Sequence, residues 1–344
     1  IGSDSWRALG CFGRRAAMAA AAPSELRVVI CGGGIVGASC AYYLSLKGVR
    51  HITIVEKAGI ACHASGKAAG FLARDWGGVF AQVSYDLHAE LGSTLSGTGY
   101  RTVETLSVAT GGQGGGGVLP GWADRCAPGA RRLGSHDTTA QVHPRKLTEA
   151  LVAAAAERGT EVKLGTVEGV ATAEGGGVET VTGVRVDGDT LPCSAVIIAM
   201  GPWSSKAAEW FPRSVPRGIS GQKYTSIVME TEPEETTASC LFVESADHVE
   251  LYPRPDELYA CGCPEDGTPL PEDPMSIEAT PASVAAIGRV VSGCSSGLGA
   301  KERLEGARGK CSCSLCVFFR SSKKAAHSPG VLPPTLIGRP ANDR

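Results

Sequence analysis

The first half of the chain alternates short, uniformly apolar runs with longer amphipathic stretches. Residues 26–31 (LRVVIC) and 51–55 (HITIV) are rich in β-branched side chains, which is typical of buried strands in a parallel sheet. Between them, residues 38–47 place their apolar side chains on one helical face, and Gly48 ends the pattern. Together the three segments predict one β-α-β unit of about 30 residues.

The same periodicities predict further helices and strands downstream. Apolar residues at four-residue spacing predict a helix over 79–91, and a second amphipathic helix is predicted over 145–158, between Pro144 and Gly159. The glycine-rich stretch from 92 to about 135 shows neither period, so we expect it to be irregular. Three more strands are predicted, at 161–170, 181–187 and 195–200.

The pattern changes after residue 216. Short β-like runs replace the alternation of helix and strand, and Pro253 and Pro255 interrupt them, as expected for an antiparallel sheet. A helix is predicted over 282–291, and beyond about residue 298 the apolar periodicity fades. The β-like runs lie at 223–229, 240–243, 248–252 and 257–261.

Composition narrows the possible classes of function. A net charge of −2 over 344 residues provides no positive field that would gather nucleic acid, so we expect no nucleic-acid partner. No apolar run approaches the roughly 20 residues of a membrane helix, so we expect no integral membrane contact. Thirteen cysteines, most of them in apolar segments, are expected to be reduced thiols rather than disulfides.

The first 22 residues admit two interpretations. Arg7, Arg14 and Arg15 among many alanines have the composition of an organelle transit peptide. Alternatively, residues 1–17 are upstream sequence and Met18 is the start. We favour the second interpretation and therefore expect a cytoplasmic protein, with an organelle as the alternative.

A glycine-rich turn joins the first predicted strand to the first predicted helix. Gly32, Gly34 and Gly37 form G-x-G-x-x-G, in which glycine allows the tight turn, the close approach of a pyrophosphate and the packing of helix on strand. Free N–H groups at the helix N-terminus then face the phosphates. Glu56 follows at the end of the next strand, where its carboxylate can accept hydrogen bonds from ribose hydroxyls and repel a 2′-phosphate. The unit predicts a dinucleotide other than NADP and leaves FAD and NAD open.

Several longer stretches resemble the superfamily of FAD-dependent D-amino-acid, glycine and sarcosine oxidases. The glycine turn is shared with other flavoproteins, but its combination with GPWS is much more specific. The resemblance covers about residues 26–298 and includes a eukaryotic branch of oxidoreductases, through ASGKAAGFLA, SYDLHAEL, GYR and ELYPRPDELYACG. The stretches are VVICGGGIVGASCAYYL (28–44), ITIVEK (52–57), ASGKAAGFLA (64–73), HPRKLTEAL (143–151) and VIIAMGPWS (196–204).

The resemblance implies FAD as the cofactor and assigns its contacts. No catalytic acid–base pair is implied, because the flavin carries the chemistry. Trp203 is expected to serve packing rather than chemistry, whereas Tyr252 and Arg254 are candidates for holding a substrate carboxylate. The implied FAD contacts are Gly32, Gly33, Gly34, Ile35, Val36, Gly37, Glu56 and Lys57 for the ADP part, Ala64, Ser65, Gly66 and Gly70 for the loop along pyrophosphate and flavin, Val167 for adenine, and Gly201 beside the cofactor.

The implied fold class is α/β. It combines an FAD-binding, Rossmann-like parallel-sheet domain with a second, mostly antiparallel β substrate domain. The expected divisions are an N-terminal extension over 1–23, a discontinuous FAD-binding domain over 24–75 and 140–208, a substrate domain over 76–139 and 209–298, and an atypical, disordered or altered tail over 299–344.

The implied function is oxidation of a small amine or amino acid, with a hydride equivalent passing to FAD. The tail does not resemble the C-terminal segment of the family, so we expect this chain to show little oxidase activity. Two alternatives stay open: an NAD-dependent dehydrogenase, and a non-catalytic FAD-fold protein that acts through partners in intracellular trafficking.

No metal site is expected from the cysteine spacing. Cys311, Cys313 and Cys316 form C-x-C-x-x-C, and Cys261 and Cys263 form a second pair. Neither spacing is that of a common zinc module, so unrelated thiols are the favoured interpretation.

Overall fold

A computed structural model describes residues 22–112, 118–175, 178–211, 219–232, 236–299 and 312–319, so the predicted N-terminal extension lies almost entirely outside the described residues. The helices are α1 (Ile35–Leu46), α2 (Ala64–Lys67), α3 (Ala81–Thr94), α4 (Pro144–Ala156) and α5 (Pro281–Cys294). The strands are β1 (Arg27–Cys31), β2 (His51–Glu56), β3 (Phe71–Ala73), β4 (Arg101–Thr102), β5 (Glu104–Val108), β6 (Arg131–Gly134), β7 (Thr139–Gln141), β8 (Glu161–Leu164), β9 (Val167–Gly175), β10 (Val178–Val186), β11 (Asp189–Pro192), β12 (Ala195–Ile198), β13 (Ile219–Glu230), β14 (Ser239–Val243), β15 (Glu250–Pro253), β16 (Glu257–Glu265) and β17 (Ser312–Phe319).

The predicted β-α-β unit is the centre of a four-stranded parallel sheet with the order β12-β1-β2-β8. β1 pairs in parallel with both β2 and β12, and Ile30 and Ile54 on these strands are fully buried. α1 and α4 pack against each other beside this sheet, and Leu147 and Leu151 of α4 join the same apolar cluster. The uniform apolar runs therefore mark strands whose side chains are buried on both faces of the sheet.

The prediction of a single strand over 161–170 is wrong. β8 stays in the parallel sheet, whereas β9 turns away and pairs antiparallel with β10 in the three-stranded sheet β11-β10-β9. The break falls at Gly165 and Thr166, where Thr166 N donates to Asp187 Oδ1 over 2.9 Å. The chain thereby leaves the parallel sheet beside Glu56, whose carbonyl accepts a hydrogen bond from Gly165 N.

The predicted antiparallel region forms a seven-stranded sheet with the order β17-β13-β16-β15-β14-β5-β6. Adjacent strands in this sheet run antiparallel, except β14 and β5, which run parallel. α5 covers this sheet, and Ile287 of α5 is fully buried against Leu241, Leu251 and Leu258. The mostly antiparallel second sheet is thus confirmed, while the residue boundaries of the two domains stay a prediction.

The expectation of an irregular stretch from 92 to 135 is wrong for three strands, β4, β5 and β6. β5 lacks the alternation of apolar and polar residues that predicts a strand, because its polar residues Thr105 and Ser107 are buried together with Leu106. Thr105 Oγ1 donates to Thr139 Oγ1 over 3.1 Å, so the buried hydroxyl is satisfied by a neighbouring strand. The predicted helix over 79–91 also shifts: α3 begins at Ala81, and Val79 before it is exposed.

Of the two expectations for the tail, disorder or altered sequence, disorder is wrong over β17. This strand pairs antiparallel with β13, from Ile219 opposite Phe319 to Ser226 opposite Ser312. It extends the antiparallel sheet and not the parallel one. Cys311 and the remaining tail residues lie outside the described ranges.

Two expectations drawn from composition can be compared with the described part of the chain. Its nine cysteines with described side chains are all free thiols. None of its helices has both the length and the apolar character needed to cross a bilayer.

Candidate dinucleotide site

The turn after β1 requires glycine at two positions. Gly32 has a φ of +113°, and a Cβ there would lie 2.3 Å from Ala199 O. A Cβ on Gly37 would lie 2.0 Å from Gly32 O, so α1 could not pack as closely onto β1. Gly34 has a different role, because its Cβ would meet Ser65 Oγ at 2.9 Å at the edge of an open cavity.

The N-terminus of α1 forms the positive end of this site. Gly34 is the N-cap and has no side chain that could accept from the N–H groups of the first turn. Ile35 N donates instead to Ser65 Oγ over 2.9 Å. An N–H group and a hydroxyl therefore meet at the end of the helix dipole, where phosphate oxygens are favourable ligands.

Glu56 places a carboxylate beside the glycine turn. Its Oε2 accepts a hydrogen bond from Gly33 N over 2.7 Å, and its Oε1 accepts one from Ala58 N over 3.0 Å. Each carboxylate oxygen can accept more than one hydrogen bond, so both keep capacity for the hydroxyls of a ribose.

These groups surround a cavity of about 420 Å³. Of the predicted contacts, Gly33, Gly37, Gly66 and Gly70 do not line the cavity. Gly66 and Gly70 shape the backbone instead, since a Cβ would lie 1.7 Å from Ala61 O and 2.1 Å from Val142 O, respectively. The predicted contacts that do line it are Gly32, Gly34, Ile35, Val36, Glu56, Lys57, Ala64, Ser65, Val167 and Gly201.

Two cavity residues that sequence reasoning missed are Cys62 and His63. Burial, followed by the charge of Glu56, raises the pKa of the Cys62 thiol, and burial lowers the pKa of His63. His63 Nε2 is shielded from solvent and has no hydrogen-bond partner in the part of the chain that the structure describes. Its ring lies 5.7 Å from the ring of Trp203, measured between centroids.

Residues 270–277, called the strap here, follow β16 and form part of the cavity wall. Glu272, Pro274 and Ile277 of the strap line the cavity. Trp203 Nε1 donates to the carbonyl of Pro271 over 2.8 Å, and Lys57 Nζ donates to the carbonyl of Glu272 over 2.9 Å. Trp203 thus has an anchoring role beyond packing, and no local sequence pattern indicates the strap.

Arg254, one of the two predicted substrate residues, lies outside the cavity lining. Its buried guanidinium donates to the carbonyls of Ala68 and Ala69 over 3.2 and 3.3 Å, and to the carboxylate of Glu257. It also lies 4.9 Å from the centroid of the Tyr259 ring. Arg254 therefore supports the loop over 64–70 from behind, and its assignment to a substrate stays a prediction.

Tyr252, the second predicted substrate residue, is also buried away from the cavity lining. Its hydroxyl donates to the carboxylate of Glu250. Burial raises the pKa of Tyr252 and also that of Glu250. Neither Tyr252 nor Glu250 lines the cavity described above. The role of Tyr252 in holding a substrate therefore also stays a prediction.

Two further basic residues extend the network around Arg254. Arg101 donates to Gln141 Oε1 and to the carbonyl of Pro253, and burial lowers the pKa of its guanidinium. His143 Nε2 lies 3.8 Å from Glu257 Oε1, and burial followed by the charge of Arg254 lowers the pKa of His143. The network joins β4 and β7, which lie in a three-stranded sheet with the order β3-β7-β4, to β15 and β16 of the seven-stranded sheet, behind the loop over 64–70.

The geometry fits a dinucleotide. The glycine cradle would be filled by a Cβ at Gly34, the α1 N-terminus has no capping side chain of its own, and Glu56 retains acceptor capacity. The sequence matches the profile of the FAD dependent oxidoreductase (DAO) family over residues 27–308. The chain belongs to this family.

Individual members of the family and related structures agree with this result. The chain is 33% identical over 290 residues to a Schizosaccharomyces pombe protein named as an oxidoreductase, covering 71% of this chain and 72% of that protein. Glycine oxidase from Bacillus cereus superposes with a TM-score of 0.63 at 21% identity, covering 85% of this chain and 83% of the oxidase. Glycerol-3-phosphate dehydrogenase from Bacillus halodurans, solved in complex with FAD, superposes with a TM-score of 0.61 at 17% identity, covering 86% and 58%. The predicted resemblance, fold class and oxidoreductase assignment are confirmed.

Replacing Glu56 with alanine should weaken dinucleotide binding without abolishing it. The change removes charge-assisted hydrogen bonds to the ribose that contribute about 1.5–3 kcal/mol, equivalent to a loss of affinity of about 10- to 150-fold. Titration of flavin-stripped protein with FAD measures this loss. Glu161→Ala on the neighbouring strand β8, where the side chain is exposed, is the control and should leave the affinity unchanged. Equal affinities of the two variants would contradict the placement of the ribose.

Proposed function

We propose that this chain binds FAD in the cavity and uses it to oxidise a small amine or amino acid. One observation carries the proposal: the N-terminus of α1, the Ser65 hydroxyl and the Glu56 carboxylate converge on a single cavity. Membership of an FAD-dependent oxidoreductase family supports the choice of cofactor.

Each part of FAD has a candidate partner. The pyrophosphate would lie at Gly34 and Ile35, where backbone N–H groups and the helix dipole favour negative charge. The adenosine ribose would donate its hydroxyls to Glu56. Val167 lines the same cavity and would present its backbone to adenine, as the family resemblance implies.

The sheet arrangement supports FAD over NAD. An NAD-binding Rossmann fold continues from its first half into a second βαβαβ half that holds the nicotinamide mononucleotide. Here β2 is followed by a long excursion through β3 to β7 before the chain returns to the parallel sheet at β8. The described parallel sheet therefore has four strands and no second mononucleotide half.

When bound, FAD supplies the acceptor for the hydride equivalent that leaves the carbon next to the substrate amine. The chain holds and shields the cofactor. Trp203 and Lys57 hold the strap in the cavity wall, and the apolar residues Pro274 and Ile277 reduce the access of water. Arg254 and Tyr259 fix the backbone of residues 67–69 from behind, Tyr259 through its hydroxyl, which donates to the carbonyl of Lys67.

The substrate class rests on the structural neighbours. They include a glycine oxidase, an iminodiacetate oxidase and an L-proline dehydrogenase, which are named for small amino acids or a related amine. These likenesses lie between 13% and 21% identity, so they support the class and do not identify one substrate.

Anaerobic mixing of the FAD-loaded protein with a panel of small amino acids and N-methyl amines tests the proposed reaction. We expect at least one compound to bleach the flavin absorbance, slowly because the tail does not resemble the C-terminal segment of the family, and air to restore it with release of peroxide. 2-Hydroxy acids of matched size serve as controls and should leave the flavin oxidised. Bleaching by the hydroxy acids alone would contradict amine oxidation.

A further inference from the structure

A second site overlaps the dinucleotide cavity. We propose that Glu56, Cys62 and His63 bind one divalent cation of the zinc type. One ligand atom from each of these three side chains lies within 4.8 Å of the other two. A carboxylate oxygen, a thiol sulfur and an imidazole nitrogen are the three kinds of ligand that zinc takes from proteins.

The backbone brings these three residues together by a defined turn. Glu56 ends β2, and the chain then folds back so that Ala61 N donates to the carbonyl of Gly33 over 3.1 Å. Ala61 itself has a φ of +54°, which is an uncommon conformation for a residue with a Cβ. Cys62 and His63 directly follow this turn and therefore face the end of β2.

His63 provides the independent observation. Its Nε2 is shielded from solvent yet has no hydrogen-bond partner among the described residues. A buried polar atom without a partner is unfavourable by about 1–3 kcal/mol, so such atoms usually mark a bound ion, water or ligand. The Trp203 ring packs beside the imidazole, with 5.7 Å between the ring centroids, and limits its movement on that side.

Three protein ligands leave a fourth position open to water or a second ligand, as in zinc sites that are not fully enclosed. Zinc–ligand distances of about 2.0–2.3 Å place tetrahedral ligand atoms roughly 3.5 Å apart, which lies within the 4.8 Å limit that the three ligand atoms satisfy. The Cys62 thiol releases its proton to solvent as sulfur bonds to the metal. The resulting thiolate and the Glu56 carboxylate neutralise the divalent cation. Of the charged groups nearby, Asp273 is negative and Lys67 and Arg145 are positive, so the attraction for the cation comes from the thiolate and the Glu56 carboxylate.

The metal and FAD should exclude each other. This part rests on the proposed function, because Glu56 would accept from the ribose of FAD and would also ligate the cation. Occupancy by the cation should therefore lower the apparent affinity for FAD, and saturating FAD should release the cation.

The test uses the full chain, stripped of flavin and metals, and Co²⁺ as a spectroscopic substitute for Zn²⁺. We expect one Co²⁺ per chain, with a thiolate-to-cobalt charge-transfer band that Zn²⁺ removes by competition. Cys62→Ser should abolish the band, and Cys62→Ser and His63→Ala should each lower Zn²⁺ affinity by more than about 100-fold, since even the loss of outer-shell partners lowers metal affinity 10- to 100-fold. Cys40→Ser, which removes a half-buried thiol of α1, is the matched control and should keep the band.

A band that persists in Cys62→Ser, or the absence of stoichiometric Co²⁺ binding, would overturn the site. Stoichiometric binding that is indifferent to saturating FAD would overturn its placement in the dinucleotide cavity. A protein that binds Co²⁺ through Cys62 but takes up no FAD would retain the metal site and refute the proposed function. Circular dichroism and thermal melting of each variant show whether a lost band reflects a lost ligand or a lost fold.

Discussion

Replacing Gly34 with valine should abolish FAD binding while the chain still folds. The added Cβ would lie 2.9 Å from Ser65 Oγ, which already accepts a hydrogen bond from Ile35 N. The two γ-methyl groups would occupy the space next to the α1 N-terminus that the pyrophosphate needs. Loss of two charge-assisted hydrogen bonds to phosphate, at about 1.5–3 kcal/mol each, lowers affinity at least about 100-fold.

The loss of FAD binding should be specific to substitution in the glycine turn at Gly34. Gly34 has an extended backbone conformation that any residue can adopt, so valine introduces no backbone strain there. Gly175→Val, at an exposed end of β9 where a Cβ would meet no atom within 4 Å, is the matched control. FAD titration, with thermal melting to monitor folding, separates the two variants. Full FAD occupancy in Gly34→Val would show that the phosphate lies elsewhere.

Replacing Arg254 with methionine should destabilise the fold strongly. The guanidinium is only 8% exposed and donates to Glu257 and to the carbonyls of Ala68 and Ala69. Its removal takes the guanidinium away from the Glu257 carboxylate, which has His143 Nε2 at 3.8 Å, and takes a donor away from two carbonyls. Breaking a buried ion pair of this kind lowers the free energy of unfolding by about 3–5 kcal/mol.

The midpoint of urea unfolding measures this loss, and its slope should be unchanged. Arg132→Met is the control, because its pair with Glu104 is more exposed and should contribute less than about 1 kcal/mol. The double variant Arg254→Met/Glu257→Met removes both charges and should recover part of the stability. If Arg254 instead binds a substrate carboxylate, Arg254→Met would keep the urea midpoint and raise KM.

The fold could be predicted wherever one period of apolar residues dominates. β1, β2 and α1 follow from uniform apolar runs and one amphipathic stretch, because their side chains are buried on a regular face. β5 could not be predicted, since its hydroxyl residues are buried and satisfied by residues far along the chain. The break between β8 and β9 depends on Asp187, a distant residue whose carboxylate accepts from Thr166 N.

The site residues also separate into those that a local sequence pattern predicts and those that depend on the three-dimensional fold. Gly32, Gly37 and Glu56 were accessible to sequence reasoning because their roles depend on local turn geometry and a fixed spacing. Cys62 and His63 lie only six and seven positions after Glu56, but no spacing rule indicates that the turn at Ala61 brings them back to it. The strap could not be predicted from the sequence either. Its two anchoring hydrogen bonds join side chains next to the parallel sheet to backbone carbonyls of a proline-rich loop.

The cavity at the end of β1 is expected to hold FAD. The absorption spectrum of the purified full chain, followed by chromatographic identification of the nucleotide released on denaturation, tests it most directly. We predict flavin absorbance and one FAD per chain, retained through gel filtration or taken up again by stripped protein. A colourless protein that takes up no FAD and binds NADH in titration would contradict the claim and favour a dehydrogenase.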